Sequence, residues 1–273
     1  MKNYIEIYIQ HITEMQQEIL IALLENIGFS GFETNDNDLK AFVEQSGFNE
    51  ATLNELAQDM GFTYTLTHIA GQNWNALWES NFEPVTVDDF VTIRAAFHEP
   101  AQATKYEILI TPKMSFGTGH HATTFMMVQQ MRALDFKDKA VLDFGTGTGV
   151  LAILAEKSGA RNITAIDNDD WSIENARENI IANNAAKIIV DKAENASSAL
   201  RYDIILANIN KNVITENAAT LNEVMNPSAG CLLLSGLLGS DEEDIIDLFS
   251  AFGLRHVNTQ HKAQWISMLW SRG

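Results

Sequence analysis

KAVLDFGTGTGVLAILAEKSGA, residues 139–160, joins two apolar runs through a turn that carries three glycines at alternate positions, Gly145, Gly147 and Gly149. Ala140 to Phe144 is a short, largely apolar run, the pattern of a strand buried on both faces of a parallel sheet. The apolar pattern that resumes at Val150 is helical. Strand, glycine turn and helix in that order form the entry to a nucleotide-type site in doubly wound α/β folds. Gly145 and Gly147 are needed where the turn takes positive φ and where backbone N–H groups must approach a ligand, and Gly149 is read as letting the helix pack on the strand.

The spacing separates the possible ligands. A dinucleotide fingerprint needs glycine or alanine three residues after its second glycine, and Val150 stands there instead. Asp143-x-Gly145-x-Gly147-x-Gly149 resembles the first motif of the class I S-adenosylmethionine (SAM) methyltransferases. The next apolar strand, ARNITAID, ends in Asp167, twenty residues past Gly147. A carboxylate at that point can accept both hydroxyls of a ribose.

Outward from this centre, residues 1–70 read as a separate α+β unit. Tyr4–Ile9 alternates with period two, Glu14 to Ile27 carries a helical apolar stripe (Ile19, Leu20, Leu23, Leu24, Ile27), and Phe29 to Val43 reads as a hairpin. A helix over Asn49–Met60, capped by Asn49 and closed by Gly61, and a strand over Phe62–Ile69 complete β-α-β-β-α-β, the order of a ferredoxin-like sandwich. No nucleophile or ligand cluster lies in this unit, so partner binding is its expected role. Residues 71–84 form a linker in which Trp74 and Trp78, one helical turn apart, are expected to pack a helix onto a domain. The remaining 85–273 make the catalytic domain. There Val85–Phe97 and Tyr106–Ile110 are expected strands, and Thr111–Thr124 is a loop of glycines and hydroxyls able to fold over a ligand. His120 and His121 lack carboxylate or cysteine neighbours in sequence, and no metal site is expected. Asp191–Glu194 is placed to approach an adenine edge. Tyr202–Asn210 reads as a buried strand ending in amides at the edge where such sheets bind ligands.

Composition narrows the class further. With 36 acidic and 18 basic residues, the net charge of −18 supplies no basic footprint for a nucleic acid backbone. The acidic surface serves either solubility or the steering of a cationic partner. The single cysteine, Cys231, sits in an apolar run, so neither a disulfide framework nor a zinc cluster is available, and a reducing cytoplasm is the expected compartment. No apolar run is long enough to span a bilayer.

Three stretches together resemble the PrmA-type ribosomal protein methyltransferases, which modify the eleventh protein of the large ribosomal subunit. Phe116-Gly-Thr-Gly-His-His121-Ala-Thr-Thr124 resembles the family's F-G-T-G-x-H-x-T-T loop, Asp143–Gly149 with Ala152 its SAM loop, and Ala207-Asn208-Ile209 the first three residues of its A-N-I-L motif. The chain departs from the pattern at Lys113 (usually glycine), Asp170 (proline) and Asn210 (leucine). The resemblance implies a class I SAM-dependent methyltransferase, with a Rossmann-like, mostly parallel seven-stranded sheet behind a small ferredoxin-like recognition domain. It implies lysine ε-amines and an α-amine of a basic ribosomal protein as acceptors, in a monomer with no membrane or direct nucleic acid contact.

On this reading Asn208 and Ile209 are catalytic. Thr118, Gly119, Thr123, Asp143, Gly145, Thr146, Gly147, Gly149, Asp167 and Asn208 bind the cofactor, and Phe116 and His121 cover the substrate. An amine attacks only when neutral, and no strong base neighbours Asn208 in sequence. Positioning and desolvation are therefore expected, with the Asn208 amide oxygen and nearby carbonyls accepting the amine's N–H bonds. Two rivals remain at this point. A nucleic acid amine methyltransferase ordinarily shows proline and an aromatic after the asparagine, absent from Asn208-Ile-Asn-Lys211. A non-catalytic SAM-binding assembly module is the other.

Overall fold

The computed structural model describes residues 3–35, 37–69, 82–113, 117–195 and 200–272. The linker with Trp74 and Trp78 falls almost wholly outside the described residues, as does Phe116. The chain divides into two compact units, residues 1–81 and 82–273.

In the first unit the strands β1 (Tyr4–Ile9), β2 (Gly31–Asn35), β3 (Asp38–Glu44) and β4 (Tyr64–Ile69) form an antiparallel sheet of order β2-β3-β1-β4. Helices α1 (Glu14–Asn26) and α2 (Glu50–Met60) complete the ferredoxin-like order. Alternation puts Ile5, Ile7 and Ile9 opposite Val43, Ala41 and Leu39, all of them buried. Thr13 and Gln16 form a capping box at α1, and Asn49 caps α2 as its sequence predicts. The apolar stripe expected along α1 is narrower than drawn: Leu20 and Leu24 are buried, whereas Ile19 faces solvent.

The second unit opens with a small sheet, β5 (Val85–Val87), β6 (Val91–Arg94) and β7 (Tyr106–Leu109), in which β6 and β7 run parallel. The single strand expected over Val85–Phe97 is thus two strands. Asp88, at φ +51°, turns the chain between them. Helix α3 (Ala122–Met131) leads to the main sheet of β8 (Ala140–Phe144), β9 (Asn162–Asp167), β10 (Ile188–Lys192), β11 (Ile204–Asn208), β12 (Cys231–Leu238), β13 (Arg255–Lys262) and β14 (Trp265–Ser271). Its order is β10-β9-β8-β11-β12-β14-β13, and β14 alone runs antiparallel to its neighbours β12 and β13. Between the parallel strands run α4 (Val150–Lys157), α5 (Asp170–Ala182) and α6 (Lys211–Val224), and α7 (Glu242–Ala251) precedes the terminal hairpin.

Every residue of β8 is buried, Asp143 included among its apolar neighbours. Val141 faces a core shared with α3 and α4, and Leu142 one shared with α6 and α7, which gives three layers. The order reverses between β8 and β11, so their carboxyl ends open a crevice at the switch point.

Candidate active site

That crevice holds a cavity of about 500 Å³. Gly145 and Gly147 line it beside Phe144 at the end of β8, with Asp167 at the end of β9, Ala193 and Glu194 after β10, Asn208 and Ile209 at the end of β11, and Gly236 in β12. His121, Thr123 and Trp265 close another side.

The glycine turn differs from its expected use in one respect. Gly145 and Gly147 do sit at positive φ, +75° and +54°. Their N–H groups, however, are directed into the protein: Gly145 N and Thr146 N donate to Ile166 O, and Gly147 N donates to Asp167 Oδ2 at 2.9 Å. The turn therefore presents bare Cα surface to the cavity rather than a cradle of donors. A pyrophosphate would need those donors and a basic partner. The lining instead carries two carboxylates, Asp167 and Glu194, and no lysine or arginine among the described residues. A cationic sulfonium with an adenosyl group, which has no phosphate, suits this set of groups; a dinucleotide does not.

Asp143 lies behind the turn and not on the cavity. It is fully buried, and its Oδ2 accepts from Thr146 Oγ1 at 2.6 Å and from Ala152 N at 3.1 Å. Burial pushes its carboxyl up from 3.8 to about 6, against the lowering effect of those two hydrogen bonds. Thr146 is likewise consumed in bracing the turn. Gly149 caps α4 at φ +80°, and a Cβ there would lie 3.4 Å from the Ala176 Cβ, so its bareness serves α5 rather than the strand. Thr118 and Gly119 also miss the cavity wall. Thr118 Oγ1 meets His120 Nδ1 at 3.0 Å, and Gly119 is closed in by Ile93 and Val85.

His121 and Thr123 do reach the cavity, because His121 is the N-cap of α3 and accepts from the Thr123 N–H. The Thr123 hydroxyl meets His121 Nδ1 at 2.7 Å, and the His121 ring packs edge-on against Trp265 at 4.8 Å. Asn208 has the most telling geometry. Its Nδ2 donates to the buried Thr124 Oγ1 at 3.1 Å, and its Oδ1 is buried with no partner. A buried acceptor without a donor is costly unless something supplies one.

Trp265, Gly236, Asn168, Ser172 and Val213 line the cavity, and Thr124 stands behind it, without having been singled out from the sequence. Gly236 sits at a bulge in β12 with φ +86°, and any Cβ there would overlap the Ile209 carbonyl. A Cβ at Gly145 would overlap the Ile209 side chain from the other side. The three departures from the family pattern each have a local partner: Lys113 pairs with Glu178, Asp170 with Lys192, and Asn210 caps α6 through Val213 N.

A seven-stranded sheet of this order, with a crevice at its switch point lined by two carboxylates, belongs to a class I SAM-dependent methyltransferase. Residues 30–272 match the family described as ribosomal protein L11 methyltransferase (PrmA), and the chain belongs to that family. A ribosomal protein L11 methyltransferase of Chlorobaculum tepidum is 39% identical, covering 98% of this chain and 96% of its own. One of Phocaeicola vulgatus is 35% identical over 93% of each. Among solved structures, a ribosomal protein L11 methylase of Lactobacillus delbrueckii subsp. bulgaricus, 25% identical, superposes with a TM-score of 0.65 over 70% of this chain and 99% of that one. No helix among the described residues is long and apolar enough to cross a membrane.

Proposed function

We propose that this methyltransferase modifies amino groups, lysine ε-amines and the N-terminal α-amine, of the eleventh protein of the large ribosomal subunit. The names of its relatives support the substrate, and the buried, unpartnered Oδ1 of Asn208, a residue of the cavity lining, carries the chemistry. When bound, SAM supplies an electrophilic methyl group on a sulfonium, and the protein's task is to align a neutral amine with it. Holding a lysine neutral at pH 7 costs about 4–5 kcal/mol against its solution pKa of about 10.4. Asn208 Oδ1, oriented by Thr124, accepts an N–H of that amine and fixes its lone pair toward the methyl group. No general base is assigned. Ile209 shapes the floor between Gly145 and Gly236, and His121 and Thr123 bound the acceptor side.

Gly145, Gly147 and Asp167 take the adenosyl group directly, while Asp143, Thr146 and Gly149 keep the turn in shape from behind. Thr118 and Gly119 act through the loop they anchor, and Phe116 is retained as a substrate-side residue on the loop match alone. The first unit recognises the protein substrate, and the enzyme acts as a cytoplasmic monomer that makes no direct contact with nucleic acid.

The test is methyl transfer in vitro from SAM to the purified ribosomal protein, beside ribosomal RNA alone, read by mass spectrometry. Methylated amines on the protein and none on RNA are expected. Labelled RNA with unmodified protein would overturn the substrate assignment, and bound cofactor with no transfer to either would overturn the catalytic one.

A further inference from the structure

We infer that Thr148 and Asn179 are positioning residues that clasp the segment ahead of α3 to the glycine turn, and so couple the cofactor side of the cavity to the acceptor side. The inference rests on the proposed methyl transfer and adds to it two side chains that lie outside the cavity.

Both residues are completely buried. The Thr148 hydroxyl donates to Gly117 O at 2.8 Å, across 31 positions of chain. Asn179, in the last turn of α5, uses both ends of its amide. Its Nδ2 donates to Thr148 O at 2.8 Å and to Asn175 Oδ1 at 3.1 Å, and its Oδ1 accepts from Thr111 N at 2.7 Å. Four residues on, Asn183 brackets Leu109, donating to its carbonyl and accepting from its N–H. Lys113 is held to Glu178 on the same helix at 2.7 Å. The described residues Leu109, Thr111, Lys113 and Gly117 are thus fastened to α5 and to the turn that α5 supports.

Gly117 completes the fit. It sits at φ +106°, and a Cβ there would come within 2.8 Å of Thr148 Oγ1, so the two backbones approach as closely as they do because residue 117 has no side chain. Four residues past Gly117, His121 caps α3 and meets Trp265 and Thr123 on the acceptor wall. Two residues before Thr148, Thr146 reaches Asp143, and Gly147 reaches Asp167. Two part-buried hydrogen bonds, Gly147 to Asp167 and Thr148 to Gly117, joined through the backbone, therefore link the ribose carboxylate to the segment that leads to the residues bounding the acceptor. Filling the cofactor side, which immobilises the turn, restrains the segment through Thr148, and an acceptor then meets a wall already ordered.

The experiment compares Thr148→Val, which keeps shape and removes the hydroxyl, with Thr148→Ser, which returns it. S-adenosylhomocysteine affinity is measured by calorimetry, and steady-state kinetics are run with the ribosomal protein as acceptor. Thr148→Val is expected to raise KM for the acceptor about tenfold while changing S-adenosylhomocysteine affinity less than threefold, and Thr148→Ser to restore KM. In the wild type, saturating S-adenosylhomocysteine is expected to slow amide exchange at Thr118–Ala122, an effect Thr148→Val abolishes. Unchanged KM in Thr148→Val, or bound S-adenosylhomocysteine without exchange protection in the wild type, would overturn the coupling. An equal loss of both affinities that Thr148→Ser does not recover would overturn it too. A wild type that transfers no methyl group yet shows the protection would leave the clasp standing and remove the proposed function.

Discussion

Asn208 Nδ2 donates to Thr124 Oγ1 at 3.1 Å, and this one bond leaves the buried Oδ1 of Asn208, a residue that lines the cavity, as the amide's unused acceptor. The two residues are 84 positions apart in sequence. Turnover by Asn208→Ala is expected to fall about 100-fold, the scale on which a preorganised polar group in a reacting centre is felt. S-adenosylhomocysteine affinity should stay within a few-fold. Thr124→Val, which frees the amide to rotate, should lose roughly tenfold, and the double variant should fall no further than Asn208→Ala. Additive losses in that cycle, or near-normal turnover of Asn208→Ala, would separate the amide from the reaction.

Asp167 has two structural bonds, from Gly147 N and Asp169 N, and still faces the cavity. Replacing it with alanine removes the ribose acceptor and releases the turn together. Hydrogen bonds to a charged group are worth about 1.5–3 kcal/mol each, so calorimetry on Asp167→Ala should show S-adenosylhomocysteine binding weakened by at least tenfold. Unaltered binding would move the ribose elsewhere.

Asp143 gives a prediction in pH. Its folded value of about 6 lies above the ordinary 3.8, so the native state holds a proton that the unfolded chain has already released between those values. Stability attributable to this residue is therefore greatest in acid and declines as pH rises through about 4 to 6, by about 3 kcal/mol in all at roughly 1.4 kcal/mol per unit. Urea unfolding of the wild type and Asp143→Asn at pH 4 and pH 7.5 isolates the effect, because other groups cancel in the difference. The wild type should lose ground to the variant at the higher pH. A difference that stays flat would mean that Asp143 is not a burdened buried carboxylate.

Gly236→Ala should be more damaging than its chemistry suggests. The new Cβ meets the Ile209 carbonyl and requires a left-handed φ of +86°. A loss of more than about 2 kcal/mol in thermal unfolding, with turnover falling further than stability accounts for, is the expected outcome. A variant with wild-type melting and turnover would show that the bulge relaxes freely.

Much of this was legible in the order of residues because the signals were local. The apolar residues of β8, the glycines after it and the acid ending β9 each act within their own strand and turn. Asp143 shows where local reading stops. Motif spacing places a carboxylate beside the turn but does not say whether it points toward a ligand or back into the core, and here it points back to Thr146. The same limit applies to Thr118 and Gly119, which are consumed by His120 and by Ile93 with Val85. Trp265 and Gly236 carried no signal because they reach the cavity only once β12 and β14 pair, and that register is a property of the assembled sheet. The division of Val85–Phe97 depended on a left-handed Asp88, which ordinary propensity does not announce.

Ile209 is pressed from both sides, by Gly145 against its side chain and by Gly236 against its carbonyl, and the two contacts leave different room for evolutionary drift. At 145 an alanine conflicts with atoms that a smaller residue at 209 would remove, so the two positions can change in step, at the remaining expense of a left-handed alanine. At 236 no replacement of the neighbour helps, because every amino acid brings the same carbonyl. Along a lineage, position 145 should show epistasis with 209, and position 236 should tolerate no partner's compensation at all.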